Sequence, residues 1–174
     1  MKRLLLACVL VFSMAGMSVA QKYGYVDTEY ILQSIPEYGA AQEKLNTLSV
    51  EWQKEIEARF AEIDRMYKAY QAEAVLLPED LKKSREEEII RKEREAKELQ
   101  RQRFGQDGDL FKRRQELIKP IQDKIFNAIE DIATTKNYAF VFDKAGGSSM
   151  IYANPRFDLS DEVLQKIGNV MTPK

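Results

Sequence analysis

Few residues in this sequence could carry out acid–base or covalent chemistry. The chain of 174 residues contains no histidine, and its one cysteine, Cys8, lies in an apolar run near the N terminus. Histidine and cysteine supply the commonest general bases, nucleophiles and soft metal ligands. Their scarcity argues against an enzyme, and no cofactor or metal site is expected.

Three aspartates, Asp27, Asp143 and Asp158, are the remaining candidates for a carboxylate site. Each lies at the boundary of a predicted strand or helix, where aspartate commonly caps a helix or stabilises a turn. The pair Gly146 and Gly147 lacks the spacing and the following helix of a phosphate-binding loop. We therefore interpret all five residues as structural.

The first 20 residues have the pattern of a secretory signal peptide. Lys2 and Arg3 precede an apolar run over residues 4–12, and small residues lead to Ala20. The run is shorter than the roughly 20 apolar residues that a membrane-spanning helix needs. We expect cleavage after about Ala20 and export; loss of Lys2 and Arg3 changes the formal net charge from −1 to −3.

The middle of the chain has helical periodicity. Over residues 38–77, apolar side chains recur every three or four positions with charged residues between them, and neither Gly nor Pro occurs in residues 40–77. A helix of this length spans on the order of 55 Å. A compact domain of this size does not accommodate it, so the helix is expected to protrude or to join a coiled coil.

The turn at residues 77–80 contains a proline that suits the first position of a new helix. We predict the tip of a helical hairpin there, with a highly charged return helix over residues 81–104 that has a thin apolar stripe. Gly105 and Gly108 interrupt this limb, and Pro120 is expected to bend its inner part. The outer hairpin is therefore predicted to be flexible and the inner part well packed.

Short strands are predicted on either side of the helical segment. Residues 23–26 form an aromatic strand, and residues 138–143 (YAFVFD) form a buried one. A turn centred on Gly146 and Gly147 is expected to pair the second strand with residues 150–153 (MIYA) as a hairpin. Ser160 is the predicted N-cap of a final helix that ends near Gly168.

The strand regions are expected to meet at the base of the helices, which predicts an α+β fold. A long protruding helical hairpin covers residues 38–132, and a small discontinuous β-rich body comprises residues 21–37 and 133–174. So few strands make a poor independent core, and open sheet edges pair with other chains. We therefore predict that the body oligomerises, with Phe140 facing its core. The residues predicted to mediate oligomerisation are Tyr25, Val26, Tyr138, Phe140, Phe142 and Ile151.

Both ends of the mature chain resemble the Skp/OmpH family of periplasmic chaperones. The resemblance rests on YGYVDTEYILQSIPEY at residues 23–38 and KNYAFVFDKAGGSSMIYANPRFDLSDEVLQKI at residues 136–167. It implies a periplasmic homotrimer whose β-rich body carries three helical arms around a cavity, where unfolded outer-membrane proteins are held without ATP. Family members are often strongly basic, whereas this chain is slightly acidic. Whether charge or apolar contact captures clients therefore stays open, as does peripheral contact with outer-membrane lipid.

One stripe on the first long helix is the candidate client-binding surface. Aromatic and methionine side chains offer large apolar area with little geometric demand. The same side chains could instead form the seam between the two helices of the hairpin. The stripe consists of Trp52, Phe60, Ile63, Met66, Tyr67 and Tyr70.

A structural coiled-coil spacer or adaptor of the cell envelope is the alternative function. Such a protein would have regular Leu and Ile heptads in both helices. Residues 82–106 lack them, which favours flexible arms. Nucleic-acid binding is not expected, because glutamates are interleaved with the basic residues of positions 91–103 and weaken the field that a phosphate backbone would meet.

Overall fold

The computed structural model describes residues 21–147 and 150–171, the last three as backbone alone. Residues 1–20, with Cys8 and the predicted cleavage site, lie outside the described residues, as do Ser148 and Ser149 of the predicted turn. The elements in chain order are strand β1 (Lys22–Val26), helices α1 (Thr28–Gln33), α2 (Pro36–Glu73), α3 (Glu79–Phe104) and α4 (Asp109–Thr135), strand β2 (Tyr138–Asp143), a short 3-10 helix (Pro155–Phe157) and helix α5 (Ser160–Met171). Long helices with one small sheet confirm the α+β fold class with helical arms.

The described residues fall into two compact units. The strand unit comprises residues 21–31 and 125–171, and the hairpin unit comprises residues 32–124. Helix α4 contributes its first part to the hairpin unit and its last part to the strand unit.

In the strand unit, β1 and β2 pair in parallel, with Tyr23 opposite Phe140 and Val26 opposite Asp143. Parallel strands need a long crossover connection, and the helical segment is that connection. The prediction that the two strand regions meet is therefore confirmed. The Leu159 N–H donates to the Tyr25 carbonyl at 2.9 Å, so the chain after the 3-10 helix covers part of the second edge of β1.

The predicted C-terminal hairpin is wrong in its second half. Residues 150–153 form no strand, and within the described residues β1 is the sole strand partner of β2. The side chain of Ile151 is 99% exposed, and that of Phe140 is 58% exposed, so neither lies in a core of this chain. β-forming composition does not create a strand unless a neighbour offers its backbone groups.

The core of the strand unit includes apolar residues of β1 and of the segment around the start of α5. Val26, Leu159 and Val163 are buried there. A Cβ added to Gly24 would lie only 2.7 Å from Leu159 Cδ1, so the close approach of Leu159 to the strand requires a glycine. The packing of Leu159 against β1 therefore depends on the absence of a side chain at Gly24.

Ser160 is not the N-cap that the sequence predicts. Helix α5 begins at Ser160 and continues through Gly168 to Met171, so both predicted ends are wrong. The Ser160 hydroxyl accepts the Asp27 N–H at 2.9 Å and donates to Asp158 Oδ1 at 2.6 Å. The Ser160 hydroxyl therefore accepts a backbone N–H from a residue 133 positions away, rather than one from the first turn of its own helix.

In the hairpin unit, α2 is an unbroken helix of 38 residues, and α3 lies against it after a turn at residues 74–78. The return limb is interrupted at residues 105–108, as the two glycines predict, and α4 then runs through Pro120 without ending. No helix among the described residues combines the length and apolar character needed to cross a bilayer.

Asn137 provides a test of the link between α4 and β2. Its φ of 56° lies in the left-handed region, which Asn and Gly adopt more readily than other residues. We expect Asn137→Ala to lower the free energy of unfolding by about 1 kcal/mol, measured by urea denaturation, whereas Asn137→Gly should retain most of it. Equal stability of the two variants would contradict this account.

Candidate functional site

Asp27 directly follows β1 and caps α1. Its Oδ1 accepts the Tyr30 N–H at 3.0 Å, and its Oδ2 lies 3.1 Å from Lys144 Nζ. The Tyr30 backbone bond, followed by the Lys144 ammonium, holds the pKa of Asp27 below its ordinary value. The same contact raises the pKa of Lys144. This carboxylate is therefore charged and fully engaged in holding the start of α1.

The other two aspartates also accept hydrogen bonds, Asp143 from a residue distant in sequence and Asp158 from a neighbour. Asp143 Oδ1 accepts the Thr28 N–H at 3.2 Å, and its Oδ2 accepts the Thr28 hydroxyl at 2.7 Å. Asp158 Oδ1 accepts the Ser160 N–H at 2.9 Å. The part of the chain that the structure describes contains no group of three or more acidic, His or Cys side chains placed to hold a metal ion. All three carboxylates thus bind backbone or hydroxyl donors next to the ends of strands and helices.

One face of the sheet carries three stacked aromatic rings, Tyr23, Phe140 and Phe142, which we call the aromatic face. The ring centroids of Tyr23 and Phe140 are 6.0 Å apart and nearly parallel, and those of Phe140 and Phe142 are 6.2 Å apart. All three side chains are exposed in the single chain. A rigid strand pair thus presents contiguous apolar surface, the kind that usually marks an interaction site.

Further apolar residues border the aromatic face. Met150, Tyr152 and Phe157 line a shallow groove together with Tyr23 and Phe142. Ile151 and Tyr152 are almost entirely exposed, although both are large apolar side chains. The exposed surface therefore extends from the sheet onto the irregular segment that follows β2.

The remaining predicted oligomerisation residues are covered within the chain. Tyr25 and Val26 are buried, and Lys22 Nζ lies 4.9 Å from the centroid of the half-buried Tyr138 ring. Burial, and next the Asp158 carboxylate, raises the pKa of the Tyr25 hydroxyl. Tyr25 and Val26 therefore support the sheet from within, whereas Phe140, Phe142 and Ile151 face outwards.

Four of the six predicted client-binding residues lie in the seam between α2 and α3. Ile63 is buried there with Ile89 and Ala96, and this small cluster is the centre of the seam. The three other stripe residues in the seam are half-buried and pack against the cluster: Phe60, Met66 and Tyr70. The structure thus places these side chains where each can offer only part of its surface to another molecule.

A hydrogen bond joins α2 and α3 in the outer part of the seam. The Tyr70 hydroxyl donates to the Glu86 carboxylate across the two helices. This bond raises the pKa of Tyr70. Tyr67, three residues earlier, is the stripe residue that remains exposed.

Trp52 lies beneath an arginine. The guanidinium carbon of Arg103 is 4.6 Å from the centroid of its ring, and the Phe104 ring meets its edge at 6.4 Å. Both partners come from the end of α3, about fifty positions away in sequence. Trp52 is therefore half-buried in a cluster that helical periodicity alone does not reveal.

The two most exposed apolar residues of the hairpin, and a third beside them, were missed by the sequence reasoning. Val75 and Leu76 are 90% and 86% exposed at the turn between α2 and α3, and Leu81 nearby is 53% exposed. The available signal was their position beside the predicted tip, where no opposing helix can cover them. These three residues form the tip patch.

Comparisons with known proteins agree with this fold. A family model described as outer membrane protein (OmpH-like) matches residues 22–167, and the chain belongs to this family. A protein of uncharacterised function from Aquifex aeolicus (strain VF5) is 27% identical over 153 residues, which cover 88% of this chain and 90% of that protein.

A solved structure gives the same architecture. The crystal structure of an OmpH-like candidate outer-membrane chaperone from Caulobacter crescentus CB15 matches with a TM-score of 0.69 and 14% identity, covering 89% of this chain and 88% of that one. The shared fold is therefore retained at very low identity. Membership of the OmpH-like family supports a chaperone type of role rather than an enzymatic one.

The Asp27 contacts predict a specific acid response. Because the folded pKa of Asp27 is lowered, its contribution to stability is present above the unfolded pKa, near 3.8, and is lost as the pH falls through the lower folded value. We expect wild type to exceed Asp27→Asn in free energy of unfolding at neutral pH, and the difference to shrink below pH 3.8. A difference that is independent of pH, measured by urea denaturation between pH 7 and pH 2, would contradict this role.

Proposed function

We propose that this protein is an ATP-independent periplasmic holdase that binds unfolded outer-membrane proteins and prevents their aggregation. Family membership supports a chaperone, and the thin seam of the hairpin carries the finer proposal. Only Ile63, Ile89 and Ala96 form its buried centre, while larger apolar side chains beside them remain partly exposed. A hairpin that needed only rigidity would bury them more completely.

Because the chain has little net charge, clients are bound mainly through apolar contacts. A formal net charge of −1, or −3 without Lys2 and Arg3, provides little long-range attraction. Exposed charges are also screened within about 8 Å at physiological ionic strength. Unfolded barrel proteins display alternating apolar residues, which the exposed parts of the stripe and the tip patch can contact. Many weak contacts of this kind release a client without ATP.

The aromatic face supports assembly as the second part of the proposal. Copies of the chain join as a homotrimer through Phe140, Phe142 and Ile151, while Tyr25 and Val26 hold the sheet from inside. Assembly removes contiguous apolar surface from water and pairs open sheet edges. The helical arms of the assembled copies enclose the cavity in which the client is held.

Export to the periplasm completes the proposal. The basic residues, apolar run and small residues of positions 1–20 are typical of a signal peptide cleaved after about Ala20. A client that is destined for the outer membrane passes through this compartment while unfolded.

A spacer or adaptor of the envelope remains the second candidate, and one observation favours it. Helix α2 runs for 38 residues without a break, as a rod would require. The break in the return limb and the thin seam argue in the other direction, because a stiff rod needs continuous knobs-into-holes packing in both helices.

The assembly can be tested on the aromatic face. We expect wild type to sediment as an oligomer and Phe140→Asp to dissociate, because a carboxylate would be placed in the apolar contact. Ala139→Asp is the matched control, since Ala139 is also exposed on β2 but lies outside the stacked rings. A monomeric wild type, or an unchanged oligomer in Phe140→Asp, would overturn the proposed interface.

Client capture can be tested on residues that the hairpin does not need for its own packing. The variant Tyr67→Ser, Val75→Ser, Leu76→Ser removes exposed apolar side chains and should keep the oligomer and its helical content. Each lost contact is expected to weaken binding by about 1 kcal/mol, or roughly fivefold. The measurement is suppression of aggregation of an unfolded outer-membrane protein by light scattering, with and without added salt.

Gln71→Ser is the matched control, because Gln71 is exposed one helical turn after Tyr67. We expect full activity in this control, loss in the triple variant and little dependence on salt. Undiminished activity of the triple variant would reject apolar capture at these positions. A steep decline with salt would show that charge dominates instead.

A further inference from the structure

Arg103 occupies an unusual environment for an arginine near a helix end. Its Nη1 donates to Asp109 Oδ2 at 2.7 Å, and its Nη2 lies 3.7 Å from Glu55 Oε2. Its guanidinium also stacks over Trp52 at 4.6 Å. Its Nε is buried without a hydrogen-bond partner, which holds for no other side-chain nitrogen or oxygen in the described residues.

These contacts connect three helices at one point. Trp52 and Glu55 belong to α2, Arg103 is the second-last residue of α3, and Asp109 begins α4 beyond the break. One side chain thus links the continuous limb of the hairpin to both sides of the interruption in the other limb.

The break itself is closely packed. A Cβ at Gly105 would lie 2.4 Å from the Arg101 carbonyl oxygen, and one at Gly108 would lie 2.8 Å from the Gln102 carbonyl oxygen. The Gly108 N–H donates to the Gly105 carbonyl at 2.9 Å. The turn is therefore tight and has a defined geometry. It can form only if the end of α3 is held in one position.

The seam alone does not supply that fixed end. Its buried centre consists of two isoleucines and an alanine, and such aliphatic side chains make no directional contact that singles out one register. The hydrogen bond between Tyr70 and Glu86 does join the two helices, but it is exposed and lies nearer the tip. Polar contacts at a single position between packed helices can fix their register. Arg103, whose side chain is 28% exposed, makes such contacts with α2 and with α4.

We propose that Arg103 is a latch that fixes the register of α3 on α2 and keeps the turn at residues 105–108 closed. The planar guanidinium can stack on Trp52 and bind Asp109 together in only one register. Without it, we expect a second register of α3, displaced by one helical turn of about 5.4 Å, to become populated. This inference does not depend on what the hairpin binds.

Trp52 reports directly on the latch, because it is the only tryptophan of the chain. Arg103→Met retains an apolar stem without the guanidinium, and Arg103→Lys retains the charge without the planar fork. Arg101→Met is the matched control, since Arg101 is exposed and pairs with Glu98 on its own helix. We expect faster acrylamide quenching and red-shifted emission of Trp52 in both Arg103 variants, and no change in the control.

The register is measured by double electron–electron resonance, which gives the distance between two spin labels at exposed positions of the two helices. The labels are attached to cysteines that replace Lys54 on α2 and Gln100 on α3, in the full chain with Cys8→Ser. Wild type and Arg101→Met should give one narrow distance distribution. Both Arg103 variants should add a second population displaced by about 5 Å.

Each outcome decides for or against the latch. One narrow distribution in Arg103→Met and Arg103→Lys would overturn it, and so would equal broadening in Arg101→Met, which would trace the effect to lost charge alone. If circular dichroism shows that Arg103→Met does not fold, Arg103→Lys is judged by the same distances. Failure of both variants to fold would assign Arg103 to overall stability and would also overturn the latch.

Discussion

β1 and β2 pair in parallel, and a parallel pair cannot be joined by a short turn. The chain meets this constraint with a crossover that contains both limbs of the helical hairpin. For a flexible chain, closing a loop of about 110 residues rather than about a dozen costs on the order of 2 kcal/mol more. That modest increment explains how two strands of five and six residues can enclose so long an insertion. The short first strand precedes long helices because its partner lies beyond them.

Few interactions hold the helices of the inserted hairpin together. Aliphatic packing is confined to a narrow seam in the outer hairpin, where Tyr70 and Glu86 add one hydrogen bond between the helices. Most charged pairs there join residues of a single helix, such as Lys68 with Asp64 and Arg91 with Glu95. Exposed pairs of this type contribute only a few tenths of a kcal/mol each. Little therefore holds one helix to the other, which makes each specific contact between them important.

The sequence predicts features that depend on local chemistry. Glycine and proline mark the turn near Pro78 and the break between Gly105 and Gly108, because their backbone preferences act wherever they occur. Long helices are equally predictable from period alone. The aspartates follow this rule in part, since Asp27 accepts the Tyr30 N–H and Asp143 accepts the Ala145 N–H at their own chain reversals.

Features that depend on a distant partner could not be predicted. The residues of segment 150–153 favour a strand, yet none of the residues that the structure describes pairs with them. Ser160 has the sequence context of an N-cap, yet it binds the backbone of Asp27. The stripe through Trp52 predicted an apolar surface on α2, but the residue that covers the indole ring is an arginine from α3. Periodicity identifies the face of a helix and leaves unknown what packs against it.

The two exposed apolar surfaces differ in a way that bears on their roles. The aromatic face is contiguous, and its rings are fixed by strand pairing and by stacking on one another. Such a surface favours a partner of constant shape, because rigid groups lose little entropy when they are buried.

The exposed apolar groups of the hairpin are scattered, and several are half-covered by their own seam. A partner that contacts them gains only a small area at each position, about 25 cal/mol for each Å² removed from water. Affinity then comes from the number of contacts rather than from any one of them, so partners of different sequence can bind comparably. Within the proposed function, the rigid surface therefore suits association with further copies of the chain, and the scattered surface suits unfolded clients that share no sequence.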